Sequence, residues 1–165
     1  MKTARFLTIL KALAGAAILI ASAVPAHAQK PRVQVEATLE VRKVVRGAGA
    51  SEAFASGDVV KPGDVIEYVA TFRNTTDKPV RNLEPTLPLP EQTELVPGSA
   101  RPASVRASLD SREFAVLPLK RKTVANGRET IETVPYREYR ALRWAPVELD
   151  AGKSTRVSAR VRVLE

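Results

Sequence analysis

The chain has 165 residues, 44% of them apolar, a formal net charge of +8 and no cysteine. Its single histidine, His27, and its single methionine, Met1, both precede residue 29. From residue 29 onward the side chains of Ser-His-Asp, Cys-His and Cys/His zinc sites are therefore missing, which excludes most hydrolase, thiol and soft-metal chemistry.

Lys2, Arg5 and Lys11 come first, then an uncharged run from Ala12 to Val24, then Pro25 and Ala26-His27-Ala28. A basic head, an apolar stretch and an A-x-A site in that order predict a secretory signal peptide over residues 1–28, cleaved after Ala28. The alternative is an uncleaved anchor, but the 13-residue run is shorter than the ~20 residues that span a bilayer. Losing Lys2, Arg5 and Lys11 takes the net charge from +8 to +5. Residues 29–165 are then expected to form one exported domain, periplasmic or secreted, with no membrane span. Without disulfides it must be held together by burial and hydrogen bonding alone.

Beyond the leader, Val33, Val35, Ala37, Leu39 and Val41 alternate with Gln34, Glu36, Thr38, Glu40 and Arg42. Successive Cβ atoms of a strand point to opposite faces, so this period of two predicts a strand with one buried and one wet side. Residues 46–58, RGAGASEAFASGD, are rich in small residues and read as a flexible loop. Lys61-Pro62-Gly63-Asp64 places Pro and Gly at the central positions of a type II turn, the second of which requires positive φ. A strand over residues 65–73 follows, with Ile66, Tyr68, Ala70 and Phe72 inward. Asn74-Thr75-Thr76-Asp77 ends it, because Asn and Asp side chains bond their own following backbone. The same residues fit the N-x-[ST] acceptor pattern, for which the turn is the better account.

Residues 80–83 begin another strand. Pro85, Pro88 and Pro90 have no N–H for a ladder, so PTLPLP must be a sheet edge or an extended connection. Short strands are expected over 93–96, 104–109 and 114–119, and Asn126-Gly127 predicts a type I′ hairpin. Residues 139–144 form a strand of mixed parity, which predicts a bulge near Ala141. Asp150-Ala151-Gly152 turns into the last strand, with Thr155, Val157, Ala159, Val161 and Val163 on one face and Arg156, Ser158, Arg160 and Arg162 on the other. No stretch after residue 28 keeps a helical period. The fold class is therefore all-β, a single antiparallel immunoglobulin-like β-sandwich of about seven strands.

Val60-Lys61-Pro62-Gly63-Asp64 with Ile66-Glu67-Tyr68, Asn74-Thr75-Thr76, Leu87-Pro88, Val96-Pro97-Gly98-Ser99, and Trp144 followed by Leu149-Asp150-Ala151-Gly152-Lys153-Ser154 recur in one order. Over residues 59–165 that set resembles the bacterial conserved-repeat family known as domain of unknown function eleven, an immunoglobulin-like sandwich of exported and surface proteins. The chain departs from it at Thr76, where glycine is usual, at Glu84-Pro85-Thr86, at the inserted Leu89-Pro90, and in the longer residues 112–138. The resemblance implies a structural or interaction module, and it brings no catalytic residues.

The expected function is thus that of a non-enzymatic module of the bacterial envelope or extracellular space. Its expected partner is another envelope or surface protein, bound through loops or strand edges, including strand addition near residues 85–90. The alternative is a polyanion binder. Lys120, Arg121 and Lys122, then Arg137, Arg140 and Arg143, then Arg156, Arg160 and Arg162 would form a basic stripe if their strands are neighbours. The bland account of these cations is that they guard wet sheet edges, with Glu129, Glu132, Glu138 and Glu148 among them. Asp58, Asp64, Asp77 and Asp150 sit in loops where hard oxygen ligands could suit calcium, but they lack a D-x-D-x-D-G run and serve better as turn formers. No cofactor or metal is expected, and Trp144 is the expected core pin.

Overall fold

The computed structural model describes residues 34–46, 52–56, 59–125 and 127–165. The leader, its cleavage point after Ala28, and the loop residues Asp58 and Asn126 lie outside them. The described residues form strands β1 (Val35–Arg46), β2 (Glu52–Ser56), β3 (Val65–Asn74), β4 (Val80–Leu83), β5 (Thr86–Pro88), β6 (Thr93–Leu95) and β7 (Val105–Ser108). They continue with β8 (Ala115–Val116), β9 (Lys120–Ala125), β10 (Arg128–Thr133), β11 (Ala141–Trp144), β12 (Val147–Leu149) and β13 (Ser154–Val163). The one helical turn among them is a 3-10 turn, Tyr136–Glu138.

Every strand pairing is antiparallel, and the fold is all-β and sandwich-like. One sheet has the order β2-β1-β3-β13-β6 and faces a four-stranded sheet β5-β11-β7-β8; β4-β12 and β9-β10 form separate pairs. Among the described residues thirteen strands replace the expected seven or so, in part because proline divides two of them and in part because β2, β8 and the β9-β10 hairpin are added. Pro85 separates β4 from β5 and Pro146 separates β11 from β12, since neither can donate to a ladder. Pro118 likewise limits the strand expected over 114–119 to Ala115–Val116.

Two further expectations are corrected. The segment 46–58 is not all loop: Glu52–Ser56 folds back on β1, with Phe54 opposite Val44, and this pairing draws on backbone bonds that a Gly/Ala/Ser-rich sequence does not advertise. No bulge occurs at Ala141, where β11 runs in unbroken register against both β5 and β7. Tyr139 lies instead at the end of the 3-10 turn, which aims it inward before the strand begins. The register irregularity falls between Val147 and Leu149.

The turn at 61–64 forms as expected. Gly63 has φ +88° and the Asp64 amide donates to the Lys61 carbonyl at 3.1 Å, the i to i+3 bond of a type II turn. Gly127, with φ +75°, closes the two-residue connection between Ala125 and Arg128. From β3 and β13, Ile66, Ala70, Val157, Ala159 and Val161 meet Leu87, Ala107, Leu142 and Trp144 of the facing sheet, all buried. Each large apolar side chain so enclosed stabilises the fold by about 1.5–3 kcal/mol. The Trp144 indole N–H donates to the Pro102 carbonyl at 2.7 Å, so its polar handle is satisfied within the core.

Asn74 fastens the end of β3 to the turns leading out of β12 and into β4. Its amide nitrogen donates to the carbonyls of Lys78, Leu149 and Asp150 at 2.7, 2.9 and 3.1 Å, and its oxygen accepts from the Thr76 backbone N–H at 2.9 Å. The last contact is the turn expected from the sequence; the others bind two separate connections to the same side chain.

Candidate interaction surfaces

The nine cations expected to form one stripe fall on separate parts of the fold. Lys120, Arg121 and Lys122 lie on β9, in the β9-β10 hairpin, while Arg156, Arg160 and Arg162 lie on β13 in the five-stranded sheet. Arg143 is on the outer face of the four-stranded sheet, its guanidinium 3.8 Å from the Phe114 ring centroid and 3.3 Å from Glu84. Arg140 turns back to the carbonyls of Arg137 and Tyr139. Cross-strand neighbours decide this arrangement, and spacing along the chain does not reveal them.

The hairpin is an arm. Every residue of β10 is exposed, and Val124 and Ile131 are 72% and 69% exposed. It is rooted by buried Leu119 and Val134, by the Val134 amide donating to the Leu119 carbonyl, and by the Leu119 amide donating to the Tyr139 hydroxyl at 2.7 Å. Two of its cations are already answered: Arg121 reaches Glu132 at 2.6 Å and Glu138 at 2.7 Å, and Lys122 stands 3.8 Å from Glu129, whereas Lys120 and Arg128 make no ion pair among the described residues. Such exposed pairs add little stability, but they cancel the charge that a polyanion would read.

The outer face of β13 differs. Arg160 contacts Glu67 at 3.4 Å, whereas exposed Arg156 and Arg162 make no ion pair among the described residues. Two arginines that sequence reasoning missed join them. Arg101 forms an antiparallel bridge with Ser158, each amide donating to the other's carbonyl at 2.7 and 2.8 Å, which sets its side chain beside the row from Arg156 to Arg160. Arg73 stands opposite Ser154 at the end of the same face. A shallow concavity of about 400 Å³ lies between Arg101, Arg160, Glu67 and the 96–99 turn. No local motif marks Arg101, which reaches β13 only through the folded bridge.

The inner face of the same sheet is incompletely covered. Ala37, Leu39 and Val41 of β1 continue the face that Phe72, Ala70 and Tyr68 begin on β3, but Leu39 is 52% exposed and Val41 38%. Tyr68 and Phe72 are only half-buried, which places the margin of the enclosed core along β3. The β1 strip is an apolar shelf that no described strand of the second sheet overlies.

The proline-rich edge offers little to an added strand. Leu89 donates to Arg140 and Trp144 donates to Pro85, so residues 85, 87 and 89 of this segment turn their backbone groups toward β11. Alternation then turns Thr86 and Pro88 toward the open side, where Pro88 has no N–H. A single amide, that of Thr86, remains for a visitor.

The loop aspartates do not converge. Lys43 holds Asp64 at 2.6 Å, and the ammonium together with the Lys61 backbone N–H lowers the Asp64 carboxyl below its ordinary pKa. No group of three potential metal-ligating side chains occurs among the described residues, and no helix there is long and apolar enough to cross a membrane. Compared with known proteins, the chain matches no protein-family model, no curated protein and no solved structure.

Proposed function

We propose that this chain is an exported, non-enzymatic interaction module of the bacterial envelope or extracellular space. Its partner is another envelope or surface protein. The leader pattern and the ordered turn motifs, which resemble those of the conserved-repeat family, support this reading, as does the lack of imidazole and thiol after residue 28. The observation that carries it is the apolar shelf on β1, where Leu39 and Val41 stand exposed beside half-buried Tyr68 and Phe72. Apolar surface contiguous with a core but open to water is a feature of association sites.

The test is a photo-activated cross-linking residue placed at Leu39, with Thr38 on the opposite face of β1 as control. A discrete adduct with one envelope protein from Leu39, absent from Thr38 and lost in Val41→Lys, is the expected outcome. No adduct, or equal adducts from both positions, refutes the reading.

A second reading, binding of a polyanion through the arginine-rich sheet face, is favoured by Arg73, Arg156 and Arg162, which are exposed there and make no ion pair among the described residues. Arg121 and Lys122 are paired with carboxylates on the arm, and Lys120 lies on that arm rather than on the sheet face.

A further inference from the structure

We propose that the outer face of the five-stranded sheet, centred on Arg101 and Arg156, binds a linear anionic polysaccharide. The proposal rests on the polyanion reading and narrows it to one face and one ligand chemistry.

Side chains on one face of a strand recur about every 7 Å, two residues apart. Along β13 this gives Arg156, Ser158, Arg160 and Arg162 in a line, with Arg101 alongside Ser158 by the bridge between them. A row of cations at regular pitch suits a chain that carries anionic groups at regular intervals. Guanidinium forks meet sulfate and carboxylate oxygens two at a time, which gives them geometric selectivity as well as charge.

These forks have capacity to spare. Arg101 uses its Nη1 on the Gly98 and Ala100 carbonyls, both at 2.8 Å, leaving Nε and Nη2 for a ligand. Arg156 and Arg162 are exposed and make no ion pair among the described residues, although Glu40 is near enough to feel the Arg156 charge and Glu94 stands opposite Arg162. Glu67 is committed to Arg160 and only 14% exposed, so it presents little repulsion.

The neutral residues between the arginines choose among polyanions. Ser158 and Thr71 set hydroxyls within the row, complementary to sugar hydroxyls. The row holds no aromatic ring; Phe54, on the outer face of β2, lies under the Arg42 guanidinium at 5.6 Å. Unpaired nucleic acid needs rings on which bases stack. Insertion into a bilayer surface needs an exposed apolar wedge; within the row Val69 is 5% exposed, and Phe54, 48% exposed on β2, is capped by Arg42. What remains is a polymer of hydroxyls and repeated anionic groups.

Two variants with equal loss of charge test the assignment: Arg101→Ala/Arg156→Ala/Arg162→Ala and Lys120→Ala/Arg121→Ala/Lys122→Ala. Binding of the full protein to heparin and to polygalacturonate is measured at low ionic strength, with circular dichroism as the folding control. The parent should bind at least one polysaccharide and release it on added salt. The sheet-face variant should weaken roughly tenfold or more, while the arm variant stays within about twofold of the parent. Arg156→Ala/Arg162→Ala, which preserves the Arg101 bonds to its loop, should weaken binding in the same direction. Equal weakening by both triple variants overturns the proposal, because net charge alone would explain it. Parent binding that neither triple alters refutes the site but leaves the polyanion reading standing, whereas no binding by the parent refutes both. Tighter binding to oligothymidylate or to phosphatidylglycerol vesicles than to either polysaccharide overturns the ligand class.

Discussion

Asn74→Ala should be among the most damaging substitutions of a polar residue in this domain. The side chain is fully buried, donates to three carbonyls and accepts from Thr76 through both backbone N–H and hydroxyl. Two amide protons serve three carbonyls, so about four independent bonds are lost. At roughly 0.5–1.5 kcal/mol net each, the expected cost is about 2–6 kcal/mol. For a domain of this size that lowers Tm by roughly 6–20 °C in a calorimetric or circular dichroism melt. Asn74→Asp sharpens the test, since it keeps the acceptor but turns a carboxylate toward carbonyl oxygens. The carboxyl introduced there has a folded-state pKa above its unfolded value, so its protonated form favours folding. The deficit relative to the parent should therefore be largest near neutral pH and shrink as pH falls, because the acid can donate one proton to a carbonyl. A Tm change below about 2 °C for Asn74→Ala, or a deficit for Asn74→Asp that ignores pH, refutes the claim that this side chain joins the two connections.

Tyr139→Phe should leave the buried Leu119 N–H without its acceptor, at a cost of about 1–3 kcal/mol, and should speed hydrogen exchange at Leu119; unchanged melting and exchange would refute the anchoring role of the hydroxyl. The acid limb of stability should be set partly by three carboxyls held below their ordinary pKa: Asp64 by Lys43 and the Lys61 N–H, Asp110 by the Arg112 and Glu113 N–H groups, and Glu40 by Arg42. Their contribution is present above the ordinary values of 3.8 for Asp and 4.5 for Glu, and is lost as pH falls through the lowered folded-state values. Urea midpoints should hold down to about those values and then drop, less steeply in Asp64→Asn; an identical slope in that variant would remove Asp64 from the account.

The sequence made β3 and β13 legible because alternation over nine or ten residues has no other simple cause, and Lys61-Pro62-Gly63-Asp64 specified its own turn. Trp144 was legible as core from size and company. β2 was hidden, since Ala53, Phe54 and Ala55 form a strand through pairing with β1, between flanks of small residues that resemble a loop. The mixed parity around Ala141 suggested a bulge, where a 3-10 turn did the reorientation instead. The stripe failed for a related reason: which charges share a face depends on sheet order, and the bridge that brings Arg101 to Ser158 spans a separation no periodicity encodes. Ion pairing failed likewise, for Glu132 and Glu138 reach Arg121 only once hairpin and turn are formed.

The β9-β10 finger stands on two greasy footings, Leu119 and Val134, and among its described residues no other side chain is buried. Its tip is thus decoupled from the architecture beneath it. Matched excision of two adjacent opposite pairs, such as Thr123-Val124 with Glu129-Thr130, would shorten it while preserving register and alternation, and a foreign two-stranded tip could be spliced in its place. The finger can therefore diversify at a pace of its own.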